Sequence, residues 1–176
     1  MIIRVIVVLI LSFSLIQSTA LSIDYEYVIK LKKMTFAWKI NGKKLYVQMT
    51  GATKGWVGIG FNPSLKMQDA NFVLGYVKNG TVKVTDAFGV RPKEHIDDTA
   101  TNGINNISNV SGSEKGKSTT IEFAIPMKSE DVADGKLSSE GFTTVLLAFG
   151  KGRDNFTGRH RYRTKLMVNL GTGQYQ

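Results

Sequence analysis

Lys43-Lys44-Leu45-Tyr46-Val47-Gln48-Met49-Thr50 decides the fold. Leu45, Val47 and Met49 fall on one side of an extended chain, and Tyr46, Gln48 and Thr50 on the other. A period of two over such a length marks a half-buried strand. Residues 119–125 repeat it, with Ile121, Phe123 and Ile125 inward and Glu122 outward. Further strand-like runs cover 25–31, 34–40, 56–61, 72–77, 81–88, 143–149 and 162–170. Asn41-Gly42 and Lys78-Asn79-Gly80 separate neighbouring runs and read as tight hairpin turns. No amphipathic helix exceeds two turns; residues 129–134 offer one short turn, with Ser129 placed to cap it. The pattern predicts an all-β protein, an antiparallel, immunoglobulin-like β-sandwich of about nine to eleven strands. Residues 63–70 and 91–117 interrupt it as loops, and the second is long enough to be functional or mobile.

The chain has 176 residues. Residues 1–20 read as a signal peptide: Arg4 begins it, residues 5–16 are apolar, and Ser18-Thr19-Ala20 supply a small-residue cleavage site. The apolar run is shorter than the ~20 residues a bilayer span needs, and no second one follows. A secreted or periplasmic protein with no membrane span in the mature chain is expected, its residues 21–176 forming one domain. A domain of that size buries about 70% of its unfolded surface and needs no covalent staple. Cysteine is absent, which excludes disulfides, thiol catalysis, cysteine-ligated metals and covalently attached haem. Its absence also suits a bacterial periplasm better than an oxidising eukaryotic route. In a eukaryotic host, Asn79, Asn106, Asn109 and Asn155 would each head a glycan acceptor triplet. The formal net charge of +9 favours acidic partners. The charges are spread along the chain apart from residues 159–165, and export argues against nucleic acid.

Chemistry-bearing residues are few. Two histidines exist, His95 and His160, so a three-histidine metal site is impossible, and no GxSxG nucleophile elbow occurs. Asp97-Asp98 on a loop reads as solvated, because a calcium site needs several converging oxygens. Gly55-x-x-Gly58-x-Gly60 lies within a strand with no helix after it, which signals close strand packing and not a phosphate loop. Met67 sits in a polar loop, and His160 lies among Arg159, Arg161, Tyr162 and Arg163. Alone, each is ordinary. Together, a thioether and an imidazole are the axial set of a low-spin haem of raised potential.

Gly55-Trp56-Val57-Gly58-Ile59-Gly60-Phe61-Asn62-Pro63, followed by Met67-Gln68-Asp69-Ala70-Asn71-Phe72-Val73-Leu74-Gly75-Tyr76-Val77, resembles the DOMON domain family. Asp86 closing a strand, Thr119-Thr120-Ile121-Glu122-Phe123 and Ala148-Phe149-Gly150 before His160-x-x-Arg163 extend the likeness over most of residues 38–170. The resemblance implies a secreted β-sandwich. One branch, similar to the cytochrome domain of cellobiose dehydrogenase, binds haem b between a methionine and a histidine. Those positions match Met67 and His160 here, as axial iron ligands. Arg163 or Arg161 would pair a propionate, since guanidinium matches carboxylate as a fork. Trp56, Phe61, Phe72, Tyr76, Phe88 and Phe156 are available as apolar walls. Strict alternation would turn His160 away from both arginines unless the strand begins after it. There are departures from the family pattern: Arg159 replaces the first of a His-His pair, Thr164 a glycine and Asn71 an acid. The implied function is a b-type cytochrome carrying single electrons to an acidic redox partner protein, without catalysis of its own. His95, on the long loop, is the substitute ligand. The alternative is a haem-free module that binds a carbohydrate or a partner protein.

Overall fold

Alternating residues build the first sheet, and the computed structural model describes it within residues 23–131 and 134–176. The export signal expected over residues 1–20 lies outside the described residues. Strands β1 (Tyr27–Lys30), β2 (Met34–Asn41), β3 (Lys44–Gly51), β8 (Ser108–Lys115) and β9 (Ser118–Pro126) form a five-stranded sheet in the order β1-β2-β3-β9-β8. Strands β4 (Val57–Phe61), β5 (Asn71–Lys78), β6 (Thr81–Arg91), β7 (Glu94–Asp97), β10 (Thr143–Gly150) and β11 (His160–Val168) form a second, in the order β11-β10-β4-β5-β6-β7. Every pairing is antiparallel. The two sheets stack as the sandwich the alternation predicts. The expected hairpins are present. Asn79 and Gly80 both take positive φ, 51° and 76°, between Lys78 and Thr81, as a tight turn matched to strand twist requires.

The core lies between the sheets. Phe36, Trp38, Leu45, Val47, Met49, Ile121, Phe123 and Ile125 meet Val57, Ile59, Phe61, Val73, Val145, Leu147 and Phe149. Gly75 is a required close approach, since a Cβ there would lie 2.9 Å from Ile121. The Trp38 indole stacks on Phe36 at 4.5 Å and donates to the Leu170 carbonyl at 2.9 Å, which ties β2 to the C-terminal segment.

The 91–117 stretch is not one loop. It holds β7, a short 3-10 helix (Asp98–Thr101) and β8. β8 escapes pattern reading because it is an edge strand with no buried position and with Val110 as its single apolar side chain, so it carries no apolar alternation. The final strand also begins earlier than expected, at His160, and β6 runs past Asp86 to Arg91. The turn expected at 129–134 falls partly outside the described residues. Beside that gap Ser129 Oγ accepts the Asp131 N–H at 3.0 Å, as a cap would.

Strand β4 is buried at every position, whereas β3 alternates strictly. An antiparallel sheet that shows no residue of a strand to water has something covering its outer face. Leu147, 1% exposed, tests the inner packing. Leu147→Ala is expected to destabilise the domain by about 2–5 kcal/mol in urea unfolding. A loss below about 1 kcal/mol would contradict a tightly packed inter-sheet core.

Candidate functional site

The cover on the outer face of the six-stranded sheet is a second apolar cluster. Trp56, Ala70, Phe72, Leu74 and Ala87 are buried there, with Met67, Tyr76, Leu146, Ala148 and Phe156 packed against them. Its floor is thin because β4 presents Gly58 and Gly60 outward. A Cβ on Gly60 would lie 2.3 Å from the Phe72 ring, and one on Gly58 would lie 3.2 Å from Leu74 Cγ. A Cβ on Gly150 of β10 would lie 2.2 Å from Trp56 Nε1. The glycine run is therefore a trough in which the Phe72 ring, Leu74 and the Trp56 indole lie against the sheet. Tyr76 and Phe156 meet over it with ring centroids 4.8 Å apart.

Met67 stands at one end of this face. Its loop follows β4 and is laid on the end of β6. Asp69 N donates to Gly89 O at 2.7 Å and Gly89 N to Ala70 O at 2.9 Å. The backbone passes so close that a Cβ on Gly89 would lie 1.7 Å from Met67 O. Lys66 and Asp69 hold left-handed conformations, φ 58° and 61°, to turn the loop back. The Ser64 hydroxyl donates to the Asp69 carboxylate across it.

His160 stands at the other end. Phe149 pairs with Tyr162 and Gly150 with His160, so Arg161 is an extra residue, a β-bulge. The bulge restores parity. Ala148, on the outer face, pairs with Arg163, and Gly150, also outward, pairs with His160. His160 and Arg163 therefore share the outer face, contrary to strict alternation, while Tyr162 turns inward and stacks on Phe149 at 5.3 Å. Met67 and His160 are not in contact. They flank the cluster from opposite ends of β4, His160 on β11 and the Met67 loop on β6. His95 is on β7 and not on a free loop. Its ring lies 5.6 Å from that of Phe72, and burial holds its pKa below the usual imidazole value. Of the expected walls, Phe61 belongs to the inter-sheet core and not to this face.

A second polar constellation escaped the sequence reading. Asp86, Asp98 and Asp134 are buried, and one oxygen of each lies within 4.8 Å of the others. Asp86 pairs with Val73 and so faces the core at the rim of the sandwich. Asn71 Nδ2 donates to Asp134 O and Oδ1, both at 3.1 Å. Asn106 N donates to Asp86 Oδ2 at 3.2 Å, and its side-chain amide donates to Asp134. Burial first, then the neighbouring carboxylates, pushes Asp86 up to about 7 and Asp98 up to about 6. Asp134 is raised as well, chiefly by burial. Asp98 was expected to be solvated, yet it is 1% exposed, drawn in by the 3-10 helix that Asp97 caps. The signal that could have exposed the cluster is Val82-x-Val84-x-Asp86, an acid in the inward register of a strand.

The model of the family described as the DOMON domain matches residues 30–150. Among solved structures, the chain is similar to the cytochrome b domain of pyranose dehydrogenase from Coprinopsis cinerea. The TM-score is 0.63 at 14% identity, over 80% of this chain and 78% of that one. It is also similar to the cytochrome domain of Myriococcum thermophilum cellobiose dehydrogenase. There the TM-score is 0.56 at 12% identity, over 84% of each chain. At such identity the two structures speak for the fold, a β-sandwich of the same architecture. The family match spans well over half of the sequence, and the protein belongs to the DOMON domain family.

Proposed function

We propose that the protein is an exported b-type cytochrome domain, holding haem b non-covalently between Met67 and His160 and passing single electrons to and from a partner protein. The observation that carries this reading is one face. An apolar trough floored by glycine has a thioether at one end and, through the bulge at Arg161, an imidazole at the other. That donor set and that floor fit a flat apolar macrocycle. The likeness to two cytochrome domains supports the same reading.

When bound, the haem supplies a reversible one-electron iron couple. The chain supplies the rest. Met67 Sδ and the His160 imidazole would hold the iron, and two protein ligands would favour electron transfer over oxygen chemistry. Trp56, Leu74 and Phe72 keep water from the buried side. Arg163, on the same face as His160, would pair with a propionate. With no cysteine in the chain, attachment is by ligation and burial alone. The positive surface steers an acidic redox partner. Residues 1–20 act as the leader and residues 21–176 as the single exported domain. Among the described residues no helix is long and apolar enough to cross a membrane.

A haem-free binding module for a carbohydrate or a protein is the second reading. It is favoured by the Phe72 ring lying over Gly60 and by the Tyr76–Phe156 pair closing the trough.

Haemin titration of the exported domain, read by absorbance before and after dithionite, decides between them. A stoichiometric six-coordinate low-spin spectrum is expected, lost in Met67→Ala and in His160→Ala and kept in His95→Ala. Loss in His95→Ala with survival in His160→Ala would transfer the ligand role to the β7 histidine. A folded protein without stoichiometric haem would leave the binding-module reading. Gly89→Ala should weaken haem affinity at least tenfold without unfolding the domain, because the new methyl group displaces the Met67 loop. Unchanged affinity would show that the loop does not set the methionine.

A further inference from the structure

The acidic nest at the rim has too little in it to be finished as protein alone. Asp98 and Asp86 are each 1% exposed. Both carboxylate oxygens of Asp98 and Oδ1 of Asp86 are buried without a hydrogen-bond partner. The two amides beside them are in the same condition. Asn71, 6% exposed, spends its N–H groups on Asp134, and its Oδ1 has no partner. Asn106 spends its own on Ser129 and Asp134, and its Oδ1 is also unpaired. Turning either amide over would set its oxygen against acceptors, so the donor direction is fixed by the acids. Among the described residues no Lys or Arg lies within ion-pair distance of Asp86, Asp98 or Asp134. Buried carboxylates without a counter-charge are costly, and native proteins pair them or give them a metal.

We propose that Asp86, Asp98 and Asp134, with the amide oxygens of Asn71 and Asn106, form a binding site for one divalent cation of the calcium class. The donors are all oxygen, which selects a hard cation over zinc or copper. Five side chains, with both oxygens of Asp98 free to bind, suit the six to eight ligands that Ca2+ accepts in irregular geometry. Mg2+ keeps several of its waters and demands octahedral regularity, which a nest closed this tightly does not offer. Three carboxylates oppose the charge of +2, leaving a small residual negative charge that the neighbouring N–H groups of Asn71 and Asn106 offset. The competing explanation is a proton shared between Asp98 and Asp134, which would relieve repulsion but leave the amide oxygens unpaired.

The test is the melting temperature of the exported domain after EDTA treatment, with and without CaCl2, alongside calorimetric titration with Ca2+. It needs no haem, so it stands or falls apart from the cytochrome reading. One Ca2+ per chain is expected. At ~100 times the dissociation constant, mass action multiplies the folded-to-unfolded ratio about 100-fold, a rise of roughly 5–10 °C for a domain of this size. Asp98→Asn should abolish the calcium response while the calcium-free protein stays folded, because the substitution removes repulsion without changing shape. Asp86→Asn should weaken binding at least tenfold. The proposal is overturned if wild type shows no calcium response, if Mg2+ matches Ca2+ at equal concentration, or if Asp98→Asn responds as wild type does. A wild type indifferent to calcium and stabilised by Asp98→Asn would assign the nest to the shared proton.

Discussion

Strand β4 gives no residue to water. Val57, Ile59 and Phe61 enter the inter-sheet core, and Gly58 and Gly60 lie under Leu74 and the Phe72 ring. This two-sided burial is the constraint on which the rest of the molecule turns. A sandwich needs only its inner faces covered, and an antiparallel sheet tolerates solvent on the other. Here the outer face is covered as well. Removing two side chains from the middle strand thins the sheet, and large apolar groups on β5 and ahead of β4 fold over the space. A second apolar cluster, buried on the outer face of a sheet whose inner face already carries a full core, is more than a sandwich requires.

The second control is a single inserted residue. Without the bulge at Arg161, His160 would pair in the inward register that Tyr162 occupies, and the imidazole would face the core. With it, Tyr162 keeps its stack on Phe149 while His160 joins Arg163 outside. Bulges concentrate where a side chain must be re-aimed, and this one lies at the end of the sheet opposite Met67. The loop at that end is fixed by backbone contact with Gly89 and by the Ser64–Asp69 hydrogen bond across it.

The β-sandwich, its hairpins and the inward residues of β3 and β9 were legible because strands packed on one side write a period of two. What was not legible lacks that period. β8 has a single apolar side chain, β7 is four residues long, and the bulge changes register without changing composition. The site residues divide similarly. Met67 and His160 could be found only as a pair of donor chemistries carried by a family resemblance, since neither stands out by spacing. The acidic nest draws from five separated segments, β5, β6, the 3-10 helix, the approach to β8 and the approach to β10, and nothing local in the chain announces that they meet. Asp98 looked solvated from its neighbour Asp97, whose carboxylate instead caps the helix that carries Asp98 inward.

The two sites share a hinge point in the sequence. Ala70 belongs to the outer apolar cluster and bonds through its N–H to Met67 O at 3.3 Å, while the next residue, Asn71, is a member of the nest. Adjacent residues on a strand face opposite sides of the sheet, so one short segment carries the Met67 loop on its outer side and an unpaired amide oxygen on its inner side. A cation that fixes Asn71 against Asp86, Asp98 and Asp134 fixes the start of β5, and with it the point from which the methionine loop closes onto Gly89. Linkage would make that effect reciprocal: whatever free energy a cation added to ligand binding at Met67, a ligand at Met67 would add to the cation. The outer cluster and the nest therefore meet at two adjacent residues, Ala70 and Asn71, on opposite faces of the sheet.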